Sequence, residues 1–234
     1  MNIVISGATG GIGEQLVFRF CSDTLYNVIA LGRNHEKLIA LEQKVKQKYP
    51  DSRLFTHCHN FFNFNEEENA QIFDAYDSIN VLINNAGMML NKAFSEISAD
   101  EWKEVYQVNL ISPALLIKSL ISKMGKQQKS HIVNISSMGG YQGSVKFPGL
   151  SAYASSKAAL TNLTELLATE FVEKNIAVNC LALGAVDTQM LKEAFPGYQA
   201  PLNAEEMADF IYWFAMNGQN FFNGKILPVA LSTP

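Results

Sequence analysis

The chain alternates short apolar runs with longer amphipathic stretches. Apolar runs of strand length lie at residues 2–6, 27–31, 53–58, 80–83, 131–135, 177–181 and 225–229. Apolar residues at helical spacing occupy 14–21, 34–48, 65–77, 99–124, 151–174 and 204–216. Strands that alternate with helices in this way form right-handed βαβ units. The pattern therefore predicts an α/β fold over residues 1–234, a single doubly wound Rossmann-type domain with a mostly parallel seven-stranded sheet between helices.

Composition narrows the possible functions. A chain of 234 residues, 48% of them hydrophobic, can bury one sizeable core but is short for two domains. Its net charge of −4 is scattered and forms no basic stripe for nucleic acid. Three widely spaced cysteines and the lack of a long unbroken apolar run predict a cytoplasmic protein without a membrane partner. His57 and His59 lack a third ligand nearby, so we predict no metal site.

A glycine-rich turn follows the first predicted strand. The segment Gly7-Ala-Thr-Gly-Gly-Ile-Gly13 leads from residues 2–6 into the first amphipathic stretch. A strand, a glycine turn and a helix N-terminus together offer backbone N–H groups to a pyrophosphate. Glycine permits both the tight turn and a close approach of the backbone to the phosphates. This placement predicts a dinucleotide site.

Tyr153 and Lys157 lie four residues apart on a predicted helix, so the two side chains share one face. A neighbouring ammonium favours the phenolate, and we therefore expect it to lower the pKa of Tyr153 from about 10. A phenol tuned in this way can exchange a proton with a carbonyl or an alcohol near neutral pH. Such pairs also arise by chance on solvated helices, so the pair needs support from other motifs.

Several motifs in a fixed order provide that support. Gly-x-x-x-Gly-x-Gly at 7–13, Asn84-Asn-Ala-Gly87, Ser137 and Tyr153-x-x-x-Lys157 resemble those of the short-chain dehydrogenase/reductase family. The resemblance runs from residue 2 to about residue 190. It implies an oxidoreductase that transfers a hydride between a nicotinamide dinucleotide and a carbonyl or alcohol substrate.

The resemblance also implies roles for four catalytic residues. Tyr153 is expected to be the general acid/base, and Lys157 its activator, which also binds the nicotinamide ribose. Ser137 is expected to orient the substrate carbonyl. Asn109 matches an asparagine that holds a water linking the lysine to solvent. Together these groups supply an oxyanion donor, a tuned acid, a charge and a proton exit.

The expected cofactor-binding residues extend over most of the chain. They are Gly7, Thr9, Gly10, Gly11, Ile12, Gly13, Arg33, Asn60, Phe61, Asn85, Ala86, Gly87, Tyr153, Lys157, Gly184, Val186 and Thr188. Arg33 stands 20 residues beyond Gly13, where a carboxylate would bind a ribose 2′-OH. A guanidinium there suits the 2′-phosphate of NADP, so NADP is predicted in preference to NAD. The alternative is that Arg33 is a solvated helix residue.

The sequence departs from the family's pattern at four places. The interval from Ser137 to Tyr153 is 16 residues, three more than is usual in relatives. Leu183 stands where Pro-Gly usually begins, and Asn60 replaces an aspartate often found beside the adenine. The C-terminal segment 224–234 lacks the frequent Val-Asp-Gly-Gly ending, which affects packing and one possible oligomer interface more than the chemistry.

The residues expected to face the substrate are mostly apolar. They are Met88, Met89, Leu90, Met138, Tyr141 and Phe147, with a lid near 189–201. An uncharged, apolar ketone or aldehyde fits them best. One alternative is a 3-oxoacyl thioester on an acyl-carrier protein, with Lys146 or Lys174 meeting the acidic carrier. The other is a non-catalytic regulator that senses NADP, although such relatives tend to lose the tyrosine or the lysine.

The two longest predicted helices suggest self-association. In relatives the counterparts of 99–124 and 151–174 pair with those of another subunit. We expect their apolar positions to serve a partner as well as the core; these are Val105, Leu116, Leu120, Leu160, Leu163 and Leu167. A homodimer or homotetramer is therefore predicted.

Overall fold

The computed structural model describes residues 1–231, except for the side chains of Glu66 and Glu68, so the predicted C-terminal segment 224–234 is described only to residue 231. The strands are β1 Asn2–Ser6, β2 Asn27–Gly32, β3 Arg53–Cys58, β4 Val81–Asn84, β5 Ser130–Ser137, β6 Ile176–Leu183, β7 Val186–Asp187, β8 Leu202–Asn203 and β9 Ile226–Val229. Seven of them form one sheet in the order β3-β2-β1-β4-β5-β6-β9. All six neighbouring pairs are parallel. The predicted doubly wound fold is confirmed.

The helices are α1 Gly11–Cys21, α2 His35–Lys48, α3 Glu66–Asp74, α4 Ala99–Tyr106, α5 Ser112–Leu120, α6 Ser151–Glu170, α7 Gln189–Ala194 and α8 Ala204–Asn217. A π-helical turn, Gln107–Ile111, joins α4 to α5, so the predicted helix 99–124 is one run with a widened turn. The predicted helix 151–174 ends early at Glu170, and a 3-10 turn, Val172–Lys174, follows it. Asn175 then takes a left-handed conformation, with φ 56°, before β6 begins.

Both faces of the sheet are buried, as is usual for parallel strands between helices. Along β1, Ile3 and Ile5 pack into one apolar cluster and Val4 into the other. The first cluster is completed by side chains of α1 and α8, among them Phe20 and Phe214. The second is completed by α5 and by the end of α6. This alternation explains why the strands read as near-continuous apolar runs.

The strand order reverses between β1 and β4. From β1 the chain moves outward to β2 and β3, and from β4 it moves outward in the other direction. Ligands of open α/β sheets bind in the crevice beyond the carboxyl ends of the strands at such a point. Here β1 leads into the glycine turn and β4 leads into Asn85–Gly87.

Most of the residues expected at a subunit interface lie in the core. Val105, Leu116, Leu120 and Leu160 are each at most 1% exposed, so they are not available to a partner. That part of the prediction is wrong, because these four side chains already pack inside the protein.

One helical run, Ala99–Lys123, is long and apolar enough to meet a length-and-composition test for a membrane span, although no unbroken apolar run was evident in the sequence. The core helices of globular proteins meet the same test. In this fold, 44% of its most apolar 18-residue window is buried inside the protein.

Candidate active site

The glycine turn and the turn after β4 touch each other. Gly7 has φ +67°, and a Cβ added to it would lie 2.7 Å from Ala86 Cα. A Cβ on Gly13 would lie 2.1 Å from the carbonyl oxygen of Gly7. Both distances are too short for any side chain, so only glycine lets α1 approach the sheet and the turn this closely.

The N-terminus of α1 opens toward this crevice. Its N-cap, Gly10, is extended and no side chain caps the helix. No atom lies within 4 Å of a Cβ built on Gly10. The first N–H groups of a helix lack partners within that helix and favour an anion. Ile12 instead packs against the apolar core and anchors the helix.

Ser6 and Asn85 join the two turns by hydrogen bonds. Ser6 Oγ accepts from the backbone N–H groups of Asn85 and Ala86, both at 3.1 Å. Asn85 Nδ2 donates to the carbonyl oxygens of Ser6 at 3.1 Å and Gly7 at 3.2 Å. The sequence pattern pointed to Asn85 but not to Ser6, whose partners lie 79 and 80 residues away.

Arg33 lies at the carboxyl end of β2. Its guanidinium is 5.3 Å from the ring centre of Phe62, and in the described part of the chain no carboxylate forms an ion pair with it. A Cβ on Gly32 would lie 2.6 Å from Thr9 Cγ2, so Thr9 and Arg33 are close in space. This corner therefore offers an exposed cation next to the glycine turn.

The segment after β3 borders the same corner. Asn60 Oδ1 accepts from the N–H of Phe62 at 3.0 Å, which shapes the turn. Phe61 is buried, and its carbonyl oxygen accepts from Ser112 Oγ at 2.6 Å. The predicted residues Asn60 and Phe61 are thus held beside the end of β2.

Residues 184–188 close the crevice from the other side. Gly184 N donates to the carbonyl oxygen of Val229 at 2.9 Å, and Val186 is buried. A Cβ added to Gly11 would lie 3.2 Å from Thr188 Cγ2, so Thr188 reaches the glycine turn. Thr188 Oγ1 also accepts from Leu191 N at 3.3 Å and so caps α7.

Ser137 and Tyr153 are neighbours in the site. Ser137 ends β5, and its side chain also accepts from Gly139 N at 3.1 Å. Burial raises the pKa of Tyr153, and the nearby hydroxyl of Ser137 partly offsets this rise. The expectation that Lys157 lowers the pKa of Tyr153 is therefore wrong for this structure, because desolvation of the phenolate dominates. The phenol stays protonated at neutral pH.

Lys157 lies one helical turn beyond Tyr153 and is 4% exposed. Its Nζ donates to the carbonyl oxygen of Ile135 at 2.8 Å. Burial lowers its pKa to about 8, although Cys180 nearby acts in the opposite direction. A Cβ on Gly87 would lie 3.4 Å from Lys157 Nζ, so the turn after β4 lies next to Lys157.

Asn109 lies in the π-helical turn and is completely buried. Its Oδ1 accepts from Met88 N at 2.8 Å, and its Nδ2 donates to Met88 O and Ser156 Oγ, both at 2.9 Å. Ser156 Oγ in turn donates to the carbonyl oxygen of Tyr153 at 2.7 Å. Asn109 thus ties the turn after β4 to α6, and Ser156 is a supporting residue that sequence reasoning missed. The expected role of Asn109 in holding a water stays a prediction.

The two lysines considered for a carrier protein lie in different places relative to the site. Lys146 Nζ donates to the carbonyl oxygens of Gly139 at 2.9 Å and Tyr141 at 2.6 Å. It therefore stabilises the enlarged loop between Ser137 and Tyr153. Lys174 precedes the amino end of β6, whereas Ser137 lies at the carboxyl end of β5.

The substrate-side residues differ in exposure. Met138 is 8% exposed, whereas Phe147 is 51% exposed. Among the described side chains, no group of three or more histidine, cysteine, aspartate or glutamate residues is arranged to hold a metal ion. The chemistry available at the site is thus that of the hydroxyl, phenol and ammonium groups.

Comparisons with known proteins agree with this geometry. The family model for short chain dehydrogenases matches residues 1–199. The 3-oxoacyl-(acyl-carrier-protein) reductase FabG of Aquifex aeolicus is 30% identical over 243 residues, which cover 97% of this chain and 94% of that protein. The chain therefore belongs to the short-chain dehydrogenase family.

Solved structures extend the likeness to three dimensions. A protein assigned as a short chain dehydrogenase from Escherichia coli CFT073, complexed with NADPH, superposes with a TM-score of 0.88 at 25% identity, covering 97% of this chain and 95% of that one. A short chain dehydrogenase from Salmonella enterica serovar Typhi CT18 gives a TM-score of 0.86 at 26% identity, with coverage of 97% and 94%.

Proposed function

We propose that this protein is an NADP-dependent oxidoreductase that transfers a hydride between NADP(H) and a carbonyl or alcohol substrate. The observation that carries the proposal is the placement of Ser137, at the carboxyl end of β5, next to Tyr153, with Lys157 one turn further along the same helix. These groups lie at the carboxyl ends of the strands, where dinucleotide folds bind their cofactor. The family assignment supports the same reaction class.

The crevice has the features that a dinucleotide needs. Gly7 and Gly13 keep it free of side chains, and the uncapped N-terminus of α1 favours a pyrophosphate. Arg33 offers an exposed guanidinium for a 2′-phosphate. Asn85, Gly87 and the segment ending at Thr188 would border the rest of the cofactor. The NADPH complex of the Escherichia coli relative supports the choice of NADP.

The protein groups divide the chemistry among them. When bound, NADPH supplies the hydride. In the reducing direction, the protonated phenol of Tyr153 would donate its proton to the carbonyl oxygen, while Ser137 holds that oxygen by a hydrogen bond. The ammonium of Lys157 would stabilise the resulting phenolate and bind the nicotinamide ribose. In the oxidising direction the same phenolate would accept the proton of an alcohol.

The substrate proposed is an uncharged ketone or aldehyde with an apolar body. Met138 and Phe147 support this, because they are apolar and lie in the segment between Ser137 and Tyr153. A 3-oxoacyl thioester is a second candidate, favoured by the likeness to the Aquifex aeolicus enzyme along nearly the whole of both chains. Lys174 is not part of that candidate, because it lies at the opposite edge of the sheet from Ser137.

The location and the assembly of the protein are proposed along with the reaction. In the described part of the chain Cys21, Cys58 and Cys180 are free, which suits a reducing, cytoplasmic location. We also propose that residues 1–234 act as one catalytic domain, with a lid near 189–201, in a homodimer or homotetramer.

A screen of NADPH oxidation by the purified protein tests the proposal. Aldehydes, ketones and 3-oxoacyl thioesters should be compared, each with NADPH and with NADH. Turnover with at least one carbonyl class, faster with NADPH, is the expected result. Binding of NADPH without turnover on any of the three classes would contradict the enzymatic proposal and favour an NADP-sensing regulator.

A further inference from the structure

A side-chain hydrogen bond joins α7 to the loop that follows β4. Asn91 Nδ2 donates to the carbonyl oxygen of Ala194 at 2.7 Å, across 103 residues of sequence. Ala194 is the last residue of α7, so its carbonyl has no partner within the helix. The asparagine therefore caps the C-terminal end of α7 from a distant segment.

The same asparagine packs against the enlarged loop between Ser137 and Tyr153. Gly149 has φ +87°, and a Cβ added to it would lie 2.0 Å from Asn91 Oδ1. The next residue along, Lys92, donates its backbone N–H to the carbonyl oxygen of Gly149 at 2.9 Å. Residues 91 and 92 thus hold α7 and this loop at the same time.

The holding segment is itself fixed to a helix. Lys92 Nζ lies 2.9 Å from Glu101 Oε1 and 3.0 Å from Glu101 Oε2. Glu101 also forms the capping box of α4 with Ser98. Asn91 is therefore presented from a segment anchored on the fold.

The helix that Asn91 holds has little stability of its own. It has six residues, and helices of that length are not stable in isolation. Its other polar contacts are local: Thr188 caps its start, and Lys192 pairs with Asp187 at 2.7 Å on the surface. The contact from Asn91 is thus the one that links its far end to another part of the described fold by a side chain.

We propose that Asn91 is a positioning residue that latches α7 beside the substrate cleft, which is the space next to Ser137 and Tyr153. In doing so it fixes α7 relative to the loop 141–150. The proposal rests on the proposed function, because that function makes this cleft the carbonyl-binding site. In this role Asn91 sets how tightly substrate is held, and it touches neither the cofactor nor the reacting atoms.

Hydrogen exchange followed by mass spectrometry tests the latch without any substrate. Asn91→Asp keeps the size of the side chain but removes the amide donor, and Asn91→Ala removes both the donor and the acceptor. The peptide covering α7 should exchange roughly 2- to 13-fold faster in each variant, the range that one hydrogen bond of ordinary strength gives. Unchanged exchange in both variants would overturn the latch.

Asn217→Asp is the matched control. Asn217 Nδ2 also donates to a helix carbonyl, that of Trp213 at 2.8 Å, but at the end of α8 and away from the cleft. Exchange of α7 in this variant should equal that of the parent. If Asn217→Asp accelerated the exchange of α7 as much as the Asn91 variants do, the proposal would be overturned, since the effect would then reflect a general loss of stability.

Kinetics on a substrate found in the NADPH oxidation screen test the positioning role. Asn91→Asp should raise KM several-fold, lower kcat less, and leave the Kd of NADPH unchanged. Faster exchange of α7 with KM unchanged would overturn the positioning role. If none of the carbonyl compounds in the screen supports NADPH oxidation by the parent, the proposed function fails. The exchange measurement then still decides whether Asn91 latches α7.

Discussion

At the scale of single residues, Tyr153 and Lys157 share a buried environment that favours the neutral form of both. Burial raises the pKa of the phenol and lowers that of the ammonium to about 8. Near pH 7 the phenol is therefore protonated and Lys157 still carries its charge. That combination suits a proton donor for carbonyl reduction. As the pH rises, Lys157 loses its proton before Tyr153 does.

The pH dependence of stability tests the environment of Lys157. In the unfolded chain the lysine has its ordinary pKa of 10.5, and in the fold about 8, so the unfolded state binds more protons between these values. The stability of the parent should therefore rise, relative to Lys157→Met, by up to about 3 kcal/mol from about pH 8 to about pH 10.5. Urea unfolding of both proteins measures this. A constant difference across the range would show that burial does not shift the lysine.

Arg33 tests the choice of cofactor. Arg33→Asp should weaken NADPH binding by roughly 10- to 150-fold, because a charge-assisted pair is lost and the new carboxylate repels the 2′-phosphate. NADH binding should change little or improve, since aspartate can accept from a ribose 2′-OH. Direct binding of both cofactors at one salt concentration measures the effect. If both bind the variant as they bind the parent, Arg33 is only a solvated residue.

At the scale of elements, the N-terminus of α1 is the part of the site most closely specified by the sequence. The strand, the turn and the helix all follow from the apolar pattern and the glycine spacing. The close packing explains the glycines, because a Cβ on Gly13 would lie 2.1 Å from the carbonyl oxygen of Gly7. Gly10 has no such neighbour, so the two glycines provide a matched pair of variants.

Gly13→Ala should destabilise the protein and abolish NADPH binding, because α1 must move away from β1 to admit the methyl group. Gly10→Ala should fold like the parent, since its φ of −177° suits any residue and its Cβ would meet nothing within 4 Å. Thermal unfolding and NADPH titration of both variants measure this. Equal stability and equal NADPH affinity in the two variants would contradict the packing account.

Long, strongly patterned elements could be predicted from the sequence, whereas short ones could not. The seven strands of the main sheet fall close to their predicted positions, because burial on both faces demands continuous apolar runs. The elements α7, β7 and β8 are only two to six residues long. No periodicity can be read over such lengths, and α7 depends on a partner 103 residues away.

The candidate site divides in the same way. Tyr153, Lys157 and the glycines belong to local motifs, so their spacing is visible in the chain. Ser156 supports Asn109 from 47 residues away, a contact that only the fold creates. The raised pKa of Tyr153 also could not be predicted, because it depends on how deeply the phenol is buried.

At the scale of the whole molecule, the predicted homodimer or homotetramer needs a surface that can pack against another subunit. The helices named for this role bury most of their apolar residues in the core. Leu166 on α6 is nevertheless 55% exposed, and Ile111 next to α5 is 41% exposed. These two side chains, rather than the buried leucines, would have to form the apolar part of such an interface.

Light scattering tests assembly. The parent should form a homodimer or homotetramer at micromolar concentration, and Leu166→Glu should shift it toward smaller particles by placing a charge in the interface. Leu25→Glu is the control, because Leu25 is 71% exposed on the loop between α1 and β2. A 25.9 kDa particle for the parent would contradict the prediction.

The rate of Tyr153→Phe decides whether Tyr153 donates the proton. The ring still fills its place beside Ser137, but the proton donor is gone. With a carbonyl substrate and NADPH, kcat should fall by roughly 10²- to 10⁴-fold, the range expected when a general acid is removed. The Kd of NADPH should stay within about twofold of the parent value, because the ring that would border the cofactor is kept and only its hydroxyl is removed. A variant whose kcat stays within a few-fold of the parent would contradict the account, since another group would then have to supply the proton.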